Sequence, residues 1–181
     1  QSGRYETPLL ENERDYYKVV SVQEQGIILY RTLFYVAGNQ IEVVRIDTAL
    51  QEVWRGFVKV NTNEVVLFSY VKQDVVYLLI KNRYNVRGDF AVVALQIENG
   101  SYFLYSVPNL IPFTPTEFTV TNGAALVGGY FNYRPLILHY NFKLQQSKIL
   151  PGFFNEPGEL TQMKPNDDGS VDVIVSAKNI V

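Results

Sequence analysis

Two short segments of this 181-residue chain carry the same three chemical groups. Asn82-Arg83-Tyr84-Asn85-Val86-Arg87 and Asn132-Tyr133-Arg134 each join an amide, a phenol ring and a guanidinium within a few residues. Tyrosine offers a flat apolar face with a hydroxyl at its tip, and arginine a planar fork that pairs with carboxylate or phosphate. Tyr84, Arg87, Tyr133 and Arg134 are therefore the candidate ligand-binding residues, suited to a sugar, a peptide or an anionic group. The plain alternative is that Asn makes the turn, Tyr covers an edge and Arg stays solvated.

Covalent and metal chemistry have thinner support. Without cysteine there is no thiol nucleophile and no disulfide, and zinc would have to manage with one histidine and carboxylates. His139, the sole imidazole, sits inside the apolar string Leu136 to Phe142 and reads as a packed strand residue rather than a general base. Glycosidic cleavage needs two carboxyl groups about 5 to 9.5 Å apart. Glu42, Asp47, Glu52, Asp74 and Asp172 fall on strands or turns of different units, and nothing in their spacing makes a pair converge. No catalytic residue, metal or cofactor is implied, and the balance is against an enzyme without excluding one. Arg87-Gly88-Asp89 spells an adhesion tripeptide, Asn99-Gly100-Ser101 a glycosylation triplet, and Asn166-Asp167-Asp168-Gly169 a run of oxygen ligands. Each is better explained by turn chemistry.

Sixteen basic against eighteen acidic residues leave a net charge of -2, which gives no field for gathering nucleic acid. No stretch reaches the roughly 18 apolar residues of a membrane span. Gln1-Ser2-Gly3, with no initiator Met, suits a mature chain after signal-peptide removal, so a periplasmic or extracellular location is expected.

The elements that must carry these residues are strands. Val, Ile, Tyr, Phe and Thr dominate the segments between turns, and branched or aromatic side chains pack well on a pleated surface. Three strings, beginning at Ile41, Phe90 and Leu136, recur after 49 and then 46 residues. Self-similarity at such a period marks a stack of one supersecondary unit. Continuous apolar runs such as Val75 to Ile80 require strands covered on both faces. Asn99-Gly100 predicts a tight hairpin of type I′, which needs positive φ at both central residues.

These strings and their spacing resemble the bacterial β-propellers with blades of four antiparallel strands. No particular member is matched: the Trp-Asp signature is absent, since Trp54 precedes Arg55, and only one unit has a Gly-Gly pair, Gly128-Gly129, as Kelch repeats do. The expected fold is all-β, a partial β-propeller with three full four-stranded blades plus the first hairpin of a fourth. A lead-in of residues 1–15 would precede blades at 16–61, 62–115, 116–158 and a partial one at 159–181. Such a segment is expected to be completed by further blades of a longer chain, by a second copy, or by Tyr5 to Leu10 acting as an outer strand of another blade. The resemblance also implies a central channel and a ligand-binding face made by loops at one end. In such a blade the loops joining strand two to strand three share one rim with the connections between blades, so the two Asn-Tyr-Arg segments would meet there. The expected function is an exported recognition or scaffold module binding a protein, peptide or glycan through rim loops, without nucleic acid or membrane insertion. The alternatives are a carbohydrate-active enzyme completed by blades outside this chain, and an assembly unit pairing through open blade faces.

Overall fold

A computed structural model describes residues 4–7, 16–150 and 157–177 of the chain. Its strands form successive antiparallel meanders. The first sheet holds β1 (Lys18–Ser21), β2 (Ile27–Leu33), β3 (Asn39–Ile46) and β4 (Glu52–Val60). The second holds β5 (Glu64–Lys72), β6 (Val75–Asn82), β7 (Phe90–Gln96) and β8 (Tyr102–Val107). The third holds β9 (Thr114–Val120), β10 (Ala124–Phe131), β11 (Arg134–Asn141) and β12 (Gln146–Ile149), and a two-stranded sheet pairs β13 (Gly158–Pro165) with β14 (Val171–Ala177). The architecture is that of a partial β-propeller, three four-stranded blades and one hairpin.

The apolar runs are continuous because the second sheet is covered on both faces. Along β6, Val76, Leu78 and Ile80 pack with Ile28, Ile41 and Val43 of the first sheet. Leu79, one residue out of phase, packs the other way against Phe118, Val127 and Leu138 of the third. Each such fully buried side chain contributes about 1.5–3 kcal/mol. A smaller cluster of Leu126, Ile137, Leu160 and Met163 joins the third sheet to the hairpin. On the inner side β5 lies beside β9, and β9 beside β13. Lysines stitch neighbouring first strands: Lys18 Nζ donates to the Val66 carbonyl at 3.3 Å, and Lys72 Nζ to that of Val120 at 3.5 Å.

The far face of the first sheet is roofed by the lead-in. Tyr5 and Tyr17 pack on Leu29, Val44 and Ile46, and the Tyr5 hydroxyl donates to Glu52 at 2.6 Å. Tyr5 therefore lies over the first sheet and is not part of an outer strand elsewhere; Pro8 to Leu10 fall outside the described residues.

The turns depart from expectation in an informative way. At Asn99-Gly100 only Gly100 has positive φ, at 73°, and its N–H donates to the Gln96 carbonyl at 3.0 Å. The hairpin is a wider turn ending in a left-handed glycine, not a two-residue I′ turn. Positive φ at both central residues occurs instead at Asn132 (49°) and Tyr133 (63°), where Phe131 pairs directly with Arg134. Pro135 is the second residue of β11.

Candidate functional site

The loop between β6 and β7 is held by amides. Asn82 Oδ1 accepts from the Tyr84 N–H at 3.0 Å and Asn85 Oδ1 from the Arg87 N–H at 3.1 Å, so each side chain closes a turn on its own backbone. From the connection to the third sheet, the Asn109 amide donates to the carbonyls of Val86 (3.3 Å) and Gly88 (3.2 Å), and its N–H donates to Asp89 Oδ1 at 2.8 Å. A loop pinned in this way presents Val86 and Arg87 in a fixed direction. It also commits the backbone of Arg87-Gly88-Asp89 to the fold.

Two hollows open on this rim between the second and third sheets. The larger, about 640 Å³, is walled by Val86, Arg87, Pro112, Phe113, Tyr130 and Tyr133, among others. The smaller, about 340 Å³, is walled mainly by Leu67, Phe68, Val86, Phe113 and Pro115, with Lys81 and Arg83. They share Val86, Phe113 and Thr114, so the two lie side by side with one apolar partition.

The four sequence-derived candidates separate here. Arg87 and Tyr133 line the larger hollow together, from different sheets. Tyr84 is 73% exposed and turned outward, its ring 4.9 Å from the Arg83 guanidinium, which lies at the same distance from the Phe34 ring. Arg134 is exposed at the start of β11 and lines neither hollow.

Lys81 is the residue that sequence reasoning missed. It sits two positions after Leu79 on the face turned to the third sheet, is 6% exposed, and has its Nζ 3.8 Å from the centre of the Phe90 ring. Nζ donates to the Gly88 carbonyl at 2.9 Å. Burial pushes its amine down to about 8, against a smaller opposing pull from Asp89. The signal was available: an amine ends the run Val75 to Ile80 at a position whose alternation points inward. Phe113 and Asn109 were missed because both lie in a connection with no periodicity of its own.

The carboxylates behave differently from a catalytic pair. Glu42 and Glu52 do converge, through Arg55, on the roofed face of the first sheet. Burial favours the neutral form of Glu42, but hydrogen bonds from Tyr17, Arg31 and Arg55 outweigh it and hold the carboxyl below its usual range. Arg55 and Tyr5 do the same to Glu52. Two carboxyls shifted in the same direction leave neither as a proton donor near neutrality. Asp47 closes its own turn, Asp74 accepts from Gln25 at 2.9 Å, and Asp172 is exposed on β14. His139 is half-buried on the β11 face that Ile137 turns to the hairpin; burial, then Lys148, lowers its affinity for a proton. Among the described residues no cluster of three or more His, Cys, Asp or Glu is placed to hold a metal ion.

No protein-family model matches the chain, and no curated protein is similar to it in sequence. Its fold is similar to solved structures of the apocarotenoid oxygenase of Synechocystis. A Trp-to-Ala variant of that protein matches with a TM-score of 0.54 at 5% identity, over 93% of this chain and 46% of the other. A Glu-to-Gln variant matches with a TM-score of 0.50 at 4% identity, over 81% of this chain and 39% of the other. The chain thus spans less than half the length of these proteins, and at such identity the likeness is one of fold. It corrects the expected function. The matching structures are of an enzyme, an oxygenase, so the fold does not point to an exported recognition or scaffold module. Nor does it point to the alternatives of a carbohydrate-active enzyme or an assembly unit. What the comparison establishes is a propeller-type, all-β fold.

Proposed function

We propose that this chain forms part of a propeller enzyme whose substrate is an elongated, largely apolar molecule held on the rim at the joint of the second and third sheets. The observation that carries the reading is the pair of hollows sharing Val86, Phe113 and Thr114, apolar along their length and basic at their edges through Lys81, Arg83 and Arg87. Cavities of a few hundred Å³, mostly apolar with a few placed polar groups, suit small-molecule substrates. The fold match adds that a protein built on this scaffold acts on an apocarotenoid, a molecule of that shape. The work assigned to these residues is binding and orientation. With one imidazole and no metal-ligating cluster among the described residues, no reaction step is routed through a metal held by them.

The test uses the full chain and retinol, an apolar polyene with a polar end, followed by quenching of protein fluorescence. Retinol is expected to bind in the micromolar range, and Val86→Asp, at a 58% exposed position where folding tolerates a charge, is expected to weaken binding about tenfold. Absent binding, or unchanged affinity in Val86→Asp, overturns the reading.

A further inference from the structure

We propose that Lys81 is a covalent attachment site for an aldehyde-bearing apolar ligand, which it holds as an imine in the smaller rim hollow. The inference takes its location from the substrate site proposed above but rests on the chemistry of this one amine.

An ammonium group has three N–H donors and needs a counter-charge or water when buried. Lys81 is 6% exposed and has no ion-pair partner among the described residues. Its Nζ makes a single hydrogen bond, to the Gly88 carbonyl. The Phe90 face attracts the charged form, yet burial outweighs it and brings the amine to about 8. Of the charged groups nearby, Asp89 favours the ammonium, and Arg83 lines the same hollow. A neutral amine carries no charge to offset and has two N–H donors in place of three, one of them bonded to Gly88, with its lone pair available. At pH 7.5 about a quarter of such an amine is neutral, against roughly one part in a thousand for an ordinary lysine, so Lys81 is expected to react on the order of 100-fold ahead of exposed lysines.

Leu67, Phe68, Val86, Phe113 and Pro115 give the hollow an apolar wall that a hydrocarbon chain can fill, and the Lys81 side chain lines it beside them. The step is a balanced condensation. The nitrogen lone pair attacks the carbonyl carbon, a proton passes from nitrogen to oxygen, and the C–O bond of the carbinolamine breaks as C=N forms. Water leaves with the carbonyl oxygen. No oxidant or reductant is consumed.

The experiment incubates the full chain with all-trans-retinal, traps any imine with sodium borohydride and locates the adduct by intact mass and peptide mapping. The expected result is one retinyl adduct per chain on the peptide bearing Lys81, with loss of at least tenfold in labelling for Lys81→Met and for Lys81→Arg. Adducts scattered over Lys18, Lys59, Lys72 and Lys143, or none at all, overturn the proposal, and mapping of the unaltered chain decides this even if a variant fails to fold. Retinol, which cannot condense, separates the two readings. Retinol binding without a Lys81 adduct removes the imine and leaves the substrate site. A Lys81 adduct without retinol binding removes the apolar substrate site and leaves a reactive lysine.

Discussion

Glu42 shows how much of this chain's chemistry is spent on holding itself together. Its side chain is 6% exposed and accepts hydrogen bonds from Arg31 at 2.6 Å, from Tyr17 at 2.7 Å and from Arg55. Removing one partner of a buried ion pair leaves the others uncompensated, so Glu42→Ala is expected to cost about 3–5 kcal/mol in urea unfolding at pH 7. The pH dependence follows in sign. A carboxyl held below its unfolded value contributes stability that is present above that value and is lost as pH falls through the folded one. Stability is therefore expected to fall with acid below about pH 4.5, and Glu42→Gln is expected to flatten that fall; an unchanged slope would assign it to other groups. Sequence spacing did not reveal this cluster, because Glu42 and Glu52 meet only when β3 and β4 pair and bring both to Arg55. Lys81 was overlooked despite its inward alternation, since a strand-end lysine ordinarily points its amine into water.

At the level of the hairpin, the three turns that follow the third strand of each four-stranded sheet place a left-handed residue at the same point. Leu50 (φ 60°), Gly100 (73°) and Gln145 (52°) each lie four residues beyond the last residue of β3, β7 and β11. Only one is glycine. A Cβ on Gly100 would also come within 3.1 Å of the Trp54 ring, whose Nε1 donates to the Ile97 carbonyl at 2.9 Å. Gly100→Ala is expected to destabilise by about 1–3 kcal/mol, whereas Gln145→Gly, at an exposed site, is expected to stabilise by roughly 0.5–1 kcal/mol. Urea unfolding of the pair checks both, and equal effects of the same sign would contradict the geometry. The Asn-Gly motif identified the existence of its turn correctly and the type incorrectly. The register of backbone pairing between β7 and β8 left four residues for the loop where the dipeptide alone implied two.

The whole molecule behaves as a row of sheets, each touching only its neighbours. Strand positions and the four-strand repeat were legible because a sheet covered on both faces writes a continuous apolar run into its sequence, as Val75 to Ile80 does. The site was less legible, since it is assembled across a joint: Arg87 and Tyr133 could be paired by analogy of their loops, but Phe113 could not. In a row of this kind, protection from exchange is greatest where both neighbours are present. Amide exchange is expected to be slowest in β6 and β7 and fastest in the β13–β14 hairpin, whose Ile174 is 55% exposed. Uniform protection across the four sheets would show instead that they open as one unit.

Each rim hollow takes walls from both the second sheet and the third, the smaller mostly from the second and the larger mostly from the third. Whatever sits in them acts as a rivet across a seam that side chains alone otherwise close. Occupancy and the stiffness of that seam then become one quantity, and a molecule that tightens the joint is also gripped harder by it.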